Sequence, residues 1–149
     1  MNNQDTFGFA VDPVAALDRK IAETLKGERG AYPLPPDARE LLRILQWHKG
    51  ASHARPLEKI ATSLHASARD VKATVKLLVE DFEIPIGASR QEPYGYFLCV
   101  TQEDYDQALR PLVNELISIA RRVRALASQE RRSEVMGQLQ LELNERKVG

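Results

Sequence analysis

The chain is poor in several residue types, and each shortage argues against a class of protein. A single cysteine, Cys99, has no partner for an intramolecular disulfide, which fits a reducing cytosol. No apolar run approaches the roughly 20 residues of a membrane span. The N-terminal stretch MNNQDTFGFAVDP lacks the basic start and apolar core of a secretion signal. We therefore expect a cytoplasmic protein that does not bind membranes.

Motifs for catalysis and for cofactors are equally scarce. The histidines His48, His53 and His65 have neither cysteine partners nor a close carboxylate pattern, so no metal site is predicted. There is no glycine-rich phosphate loop and no nucleophile elbow. Cys99 has no neighbouring base to activate it, and we expect it to pack as a small hydrophobic residue. We predict no enzymatic activity, no cofactor and no small-molecule ligand.

The net charge of zero hides a marked asymmetry along the chain. The 21 basic and 21 acidic residues balance over the whole sequence. Between Arg43 and Lys76, however, seven basic residues stand against two acidic ones, and from Asp81 to Asp106 one basic residue stands against six acidic ones. The folded protein can therefore carry a basic surface despite its zero net charge.

The N-terminal part of the sequence divides into a disordered lead over residues 1–11 and a helix with a linker over residues 12–36. Asp12 is a plausible N-cap with Pro13 at the first helical position, and Gly27 can end the helix. The linker, residues 28–36, contains three prolines and a glycine. The helix carries a narrow apolar stripe that must pack on something: Val14, Leu17, Ile21 and Leu25.

The segment 37–100 carries the most specific pattern in the chain. A helix from about Asp37 to His48, with Leu41, Leu42, Ile44 and Leu45 facing inward, precedes a short helix that Pro56 opens. The turn His65-Ala66-Ser67 leads into another helix, for which Ser67 is a natural N-cap and Asp70 stands where a capping-box acid belongs. The inward stripe of this last helix is Val71, Val75 and Leu78.

Two short strands are predicted after these helices. Ile84 and Ile86 alternate with Pro85 and Gly87, and the proline favours an edge strand. A polar tip follows over residues 89–93, and the chain returns as a strand over Tyr94 to Val100. A two-stranded hairpin alone is marginally stable, so this hairpin must lean on the helices.

The order helix, tight turn, helix predicts a nucleic-acid contact, because the second helix of a helix-turn-helix presents its outer side to the DNA major groove. That side carries Arg69, Lys72, Ala73 and Lys76, spaced i, i+3, i+4 and i+7. The cations can pair with phosphates, arginine can reach guanine, and Ala73 permits close approach. The competing interpretation is an ordinary solvated helix face, and we favour DNA contact. The other candidates are Arg55, Lys59, Ser67 with its neighbouring backbone amides, and Arg90 at the polar tip.

Residues 101–149 form a predicted helical arm. Thr101 is a natural N-cap, Pro111 predicts a kink or a fresh helix start, and Gly137 weakens the helical pattern of residues 129–149. An apolar seam with alternating spacings of four and three starts at Tyr105. The N-terminal helix could cover this seam within one chain, or two chains could pair through it; we favour a homodimer. Its candidate dimerisation residues are Leu109, Leu112, Leu116, Ile119, Val123 and Leu126.

Residues 57–98 resemble the winged helix-turn-helix of the biotin-operon repressor N-terminal domain and its bacterial and phage relatives. The matching stretches are LEKIATSL, SARDVKATVKLL, IPIGAS and GYFL. The resemblance implies a mainly α fold, with a three-helix core and a two-stranded β-wing, that binds double-stranded DNA sequence-specifically as a dimer. No biotin-ligase domain follows, so the resemblance implies no enzymatic activity.

The sequence thus predicts a winged helix-turn-helix over residues 37–100, flanked by an N-terminal helix and a C-terminal arm. The predicted function is that of a bacterial or phage-type transcriptional regulator. The alternative is a winged-helix module that binds other proteins through its arm and does not bind DNA.

Overall fold

The computed structural model describes residues 12–145, which form six α-helices and a two-stranded antiparallel sheet. The predicted mainly α fold is confirmed. The disordered lead predicted for residues 1–11 lies outside the described residues. No helix within residues 12–145 has the length and apolar character needed to cross a membrane. The elements are α1 (Pro13–Lys26), α2 (Pro36–Leu45), α3 (Leu57–Leu64), α4 (Ala68–Phe82), β1 (Ile86–Ser89), β2 (Gly95–Leu98), α5 (Gln102–Leu126) and α6 (Gln129–Asn144).

The helix ends follow local chemistry that is visible in the sequence. The backbone N–H of Val14 donates to Asp12 Oδ1 at 3.0 Å, and Gly27 ends α1 with a φ of 81°. The N–H of Asp70 donates to Ser67 Oγ at 3.1 Å. The capping-box role predicted for Asp70 is wrong, since its carboxylate does not return a hydrogen bond to Ser67.

One hydrophobic cluster joins α1, α2, α3, α4 and the two strands of the hairpin. The inward stripes predicted for α2 and α4 are confirmed, except that Ile44 is only half-buried. Two further predictions are wrong. The α2 helix ends at Leu45 and not near His48, and Val14, which was predicted to pack with the apolar stripe of α1, is exposed. The buried members of the cluster are Leu17, Ile21, Leu34, Ala38, Leu41, Leu42, Leu45, Ile60, Val71, Val75, Leu78, Phe82, Ile84 and Leu98.

The proline-containing segment between α1 and α2 packs tightly on α4. Leu34 is buried, and the ring of Tyr32 meets Phe82 edge-on with a centroid distance of 5.2 Å. The Tyr32 hydroxyl donates to Asp81 Oδ2 at 2.5 Å. Leu17 and Ile21 of α1 are buried in the same core, so the apolar face of α1 does not cover the seam of α5.

Strand β2 has backbone partners on both edges. On one edge it pairs with β1 in the register Ile86 to Leu98 and Ser89 to Gly95. On the other edge Arg55 and Tyr96 exchange N–H···O bonds of 2.8 and 2.9 Å. The strands are shorter than predicted, since β1 begins at Ile86 and β2 ends at Leu98. As expected, the hairpin leans on the helical part of the chain.

The helix α5 is attached to this assembly by the carboxylate of Asp104. Oδ1 accepts the N–H of Ala51 at 3.1 Å, and Oδ2 accepts the N–H groups of Val100 and Thr101, each at 3.0 Å. Burial alone would raise the pKa of Asp104, but these hydrogen bonds favour the charged form and hold its pKa below the usual value. The α5 helix then continues unbroken through Pro111, which excludes the fresh helix start considered for that residue.

Cys99 lies in a second small cluster with Ala54 and Phe97, behind the sheet and against Ala108 of α5. Burial raises the pKa of the Cys99 thiol to about 12, so this thiol stays protonated at neutral pH. The prediction that Cys99 packs as a small hydrophobic residue is confirmed.

Substituting Gly95 with alanine should destabilise the fold, because a Cβ at this position would lie 2.0 Å from the carbonyl oxygen of Arg55, and the φ of Gly95 is +129°. We expect a loss of about 2 kcal/mol or more in the free energy of unfolding. The matched control is Gly137→Ala in α6, where a Cβ would meet nothing within 4 Å. This control should be neutral or stabilise the protein by up to about 1 kcal/mol. Denaturant unfolding measures both, and equal effects would contradict the Arg55–Tyr96 pairing.

Substituting Asp104 with asparagine should lower the free energy of unfolding by about 1–3 kcal/mol at neutral pH, because the amide cannot accept all three hydrogen bonds. Folding lowers the pKa of Asp104, so the stabilising contribution of its carboxylate is present above the usual aspartate pKa of about 3.9 and is lost as the pH falls through the lowered pKa. The difference between wild type and variant should therefore shrink below about pH 4. The control is Asp106→Asn at an exposed site. A difference that is independent of pH would refute the assigned role.

Candidate nucleic-acid interface

The buried residues of α4 determine which residues of this helix face solvent. Because Val71, Val75 and Leu78 are buried, the residues on the opposite side of the helix face solvent. All four predicted residues are exposed there: Arg69, Lys72, Ala73 and Lys76. Within residues 12–145 none of the three cations forms an ion pair or a side-chain hydrogen bond. The structure thus brings these four residues together as an exposed basic face, which we call the α4 face.

The turn before α4 presents the start of that helix to solvent. His65 ends α3 in the left-handed region with a φ of 51°, and the N–H of Ala66 donates back to the carbonyl of Ala61 at 3.0 Å. Ser67 is exposed, and its hydroxyl oxygen is occupied as the cap of α4. The first N–H groups of a helix carry partial positive charge, which suits a phosphate group.

Arg55 and Lys59 flank α3 in different ways. Lys59 is exposed in the first turn of α3. Arg55 is half-buried, because its backbone pairs with β2, and its Nε is buried with no hydrogen-bond partner among the described residues. The hydroxyls of Thr62 and Ser63 donate to carbonyls one turn back in α3, each at 2.9 Å. These two hydroxyls are thus engaged within their own helix.

Arg90 lies exposed in the tip between β1 and β2. The tip is ordered by Ser89, whose hydroxyl donates to the Gln91 carbonyl at 2.7 Å and accepts the Gln91 N–H at 3.4 Å. Arg90 makes no ion pair with any residue in the described range. Its guanidinium is therefore open to an external anion.

Acidic residues at the end of α4 differ in their relation to the α4 face. Asp81 accepts the hydrogen bond of Tyr32 and so points towards the segment before α2. Glu83 lies beyond the helix end, and its carbonyl oxygen accepts from Lys20 Nζ at 3.0 Å. Glu80 is exposed one turn after Lys76, on the same stripe. Of these three carboxylates, that of Glu80 therefore extends the α4 face.

The seam of α5 is largely uncovered in the described chain. Leu109, Leu112, Leu116 and Ile119 are between 41% and 61% exposed, Leu126 is 90% exposed, and Val123 is half-buried. The sequence interpretation missed Val113 and Ile117, which are also exposed and widen the seam. Val113 follows Leu109 by four residues and Ile117 follows Val113 by four, which places both beside the seam. Trp47 was predicted to stand at the end of the second helix; it lies just beyond α2 and its indole is exposed.

Comparison with known proteins finds no matching family model, no matching curated protein and no matching solved structure. Within residues 12–145 no three histidine, cysteine or carboxylate side chains converge as a metal site would require. The geometry and charge of the α4 face and of the α5 seam therefore carry the functional argument.

Proposed function

We propose that this protein binds double-stranded DNA through the α4 face, as a homodimeric winged helix-turn-helix regulator of transcription in a bacterium or phage. The single observation that carries the proposal is the set of unpaired, exposed cations Arg69, Lys72 and Lys76 around the small Ala73. Cations without partners in the protein lose no internal ion pair when they meet a phosphate. On this proposal the protein acts in the cytoplasm and needs no cofactor to bind DNA.

The geometry around α4 supports a helix-turn-helix. Helices α3 and α4 pack on each other and on α2, and a tight turn of three residues joins α3 to α4. The α4 face is opposite this packing, so it can enter a major groove without disturbing the core. The start of α4 at Ser67 would meet the phosphate backbone at the groove edge.

The hairpin supports the role of a wing. Its attachment through Arg55 and Tyr96 holds it against the helical core, and its tip carries the exposed Arg90. A cation on such a tip can reach a phosphate or the minor groove beside the recognition helix. Arg55 and Lys59 would add contacts to the DNA backbone.

A second candidate function is a protein-interaction module, and the exposed seam of α5 favours it. In this case the arm from Thr101 onward would bind a different protein and the α4 face would be ordinary surface. The zero net charge permits this candidate. DNA affinity separates the two functions, because an interaction module shows none at any salt concentration.

Reversing two charges on the α4 face should abolish most DNA binding. For wild type, we expect the affinity for a mixed-sequence duplex to fall steeply as salt rises, since phosphate contacts release counterions. The double variant Lys72→Glu with Lys76→Glu should lose about tenfold or more in affinity, and its salt slope should fall by about two. Fluorescence anisotropy over a salt series measures both quantities.

The matched control for this experiment is Arg19→Glu with Lys26→Glu, which makes the same charge change at two exposed sites on α1. This control should keep nearly the wild-type salt slope. Equal losses in both double variants would indicate a non-specific charge effect and contradict the proposed interface. Weak binding that does not change with salt would exclude it as well.

Neutralising Glu80 should strengthen DNA binding, because its carboxylate continues the α4 face one turn beyond Lys76. We expect Glu80→Gln to raise the affinity about two- to fivefold at low salt, with a smaller gain as salt screens the repulsion. Glu130→Gln, at an exposed site in α6, is the control and should have no effect. Weaker binding by Glu80→Gln would show that the carboxylate helps to position the complex.

A further inference from the structure

The arm presents a broad apolar face that nothing in residues 12–145 covers. After Ala108 packs against the sheet, the seam residues of α5 point into solvent, and Val113 and Ile117 extend the face to one side. Exposed apolar side chains that adjoin one another along one helix face form a patch, and such patches mark interaction sites when they are large. The α1 helix cannot cover the face, because its own apolar residues Leu17 and Ile21 are buried in the main core.

The charges beside the seam indicate what covers it. With seam residues at the a and d positions of a heptad, Glu115 and Arg122 flank the same edge, two turns apart. Both side chains are exposed, and neither forms an ion pair within the described range. The opposite edge carries Val113 and Ala120, which have no charge. A partner helix that satisfies this pattern needs a cation opposite Glu115 and a carboxylate opposite Arg122.

We propose that a second copy of this chain covers the seam, with the two α5 helices antiparallel and Leu116 packed against the partner's Ile119. In this register Glu115 faces the partner's Arg122, and the symmetry of the dimer forms the same pair twice. The antiparallel direction also sets the helix dipoles in opposition. A parallel pair would place Glu115 beside the partner's Ala120, leaving both charges without a partner.

The proposed function requires a homodimer, and this register describes how the two chains meet. The inference therefore rests on the proposed homodimer and not on DNA binding. The remaining layers place Leu112 against the partner's Val123 and Leu109 against the partner's Leu126. The starts of the two α5 helices, at Gln102, are then offset by about 31 residues along the common axis, or about 46 Å at 1.5 Å per residue.

Sedimentation equilibrium of the full chain tests the covered face. We expect a dimer whose dissociation constant rises at least about a hundredfold in Leu116→Asp, which would bury two unpaired charges at the centre of the interface. The control Ser118→Asp, on the opposite side of α5, should leave the constant unchanged. Circular dichroism of both variants checks folding. A monomeric wild type, or a dimer that Leu116→Asp leaves intact, would overturn the proposal.

A charge-reversal cycle tests direction and register. Glu115→Arg and Arg122→Glu should each weaken the dimer, by about fivefold or more, since each sets like charges opposite one another twice. The double variant should return close to the wild-type constant, and Arg121→Glu, away from the seam edge, should have little effect. A double variant no tighter than either single variant would refute the antiparallel register. The α4-face variant Lys72→Glu with Lys76→Glu should stay dimeric, so a failure of DNA binding and a failure of dimerisation are separately visible.

Discussion

The backbone pairing of β2 on both edges is the constraint on which the rest of the structure depends. An isolated two-stranded hairpin is marginally stable in water. Here Arg55 closes the second edge of β2 at Tyr96. The side chains of Leu98 and Phe97 are fully buried on opposite faces of β2, Leu98 in the main core and Phe97 against α5. This pairing fixes the hairpin against the helical core. The Asp104 carboxylate then attaches the arm to the end of the same strand.

The two surfaces with proposed functions follow from this arrangement. Helix α4 uses one side for the core, so its cations face outward without internal partners. Helix α5 uses only its first turns, around Asp104 and Ala108, for packing on the domain, and its later turns project an apolar face. The surface proposed for DNA binding and the surface proposed for self-association therefore lie on separate elements, so each can be altered without the other.

Local chemistry explains which parts of the fold were predictable. The caps at Asp12 and Ser67 and the inward stripe of α4 act within a few residues of each other, and sequence spacing shows them directly. The pairing of Arg55 with Tyr96 and the hydrogen bond of Asp104 to Ala51 join distant segments through single backbone groups. Contacts of this kind leave no periodic pattern, so the sequence did not reveal them.

The candidate site was predictable in its sequence pattern but not in its three-dimensional surroundings. The spacing of Arg69, Lys72, Ala73 and Lys76 placed them on one face, but their lack of internal partners needed three-dimensional information. The same holds for the seam of α5. Its apolar spacing was readable, whereas its exposure depended on α1 packing elsewhere.

The most direct test of DNA recognition by the α4 face is an NMR titration of the full, isotopically labelled chain with a short duplex. The largest shifts of backbone amides should fall in the turn at Ser67, along α4 to Lys76, and at the tip around Arg90. Amides of α1 should hardly move. Shifts confined to α5 and α6, or none at all, would contradict the assignment of the α4 face as the DNA-binding surface.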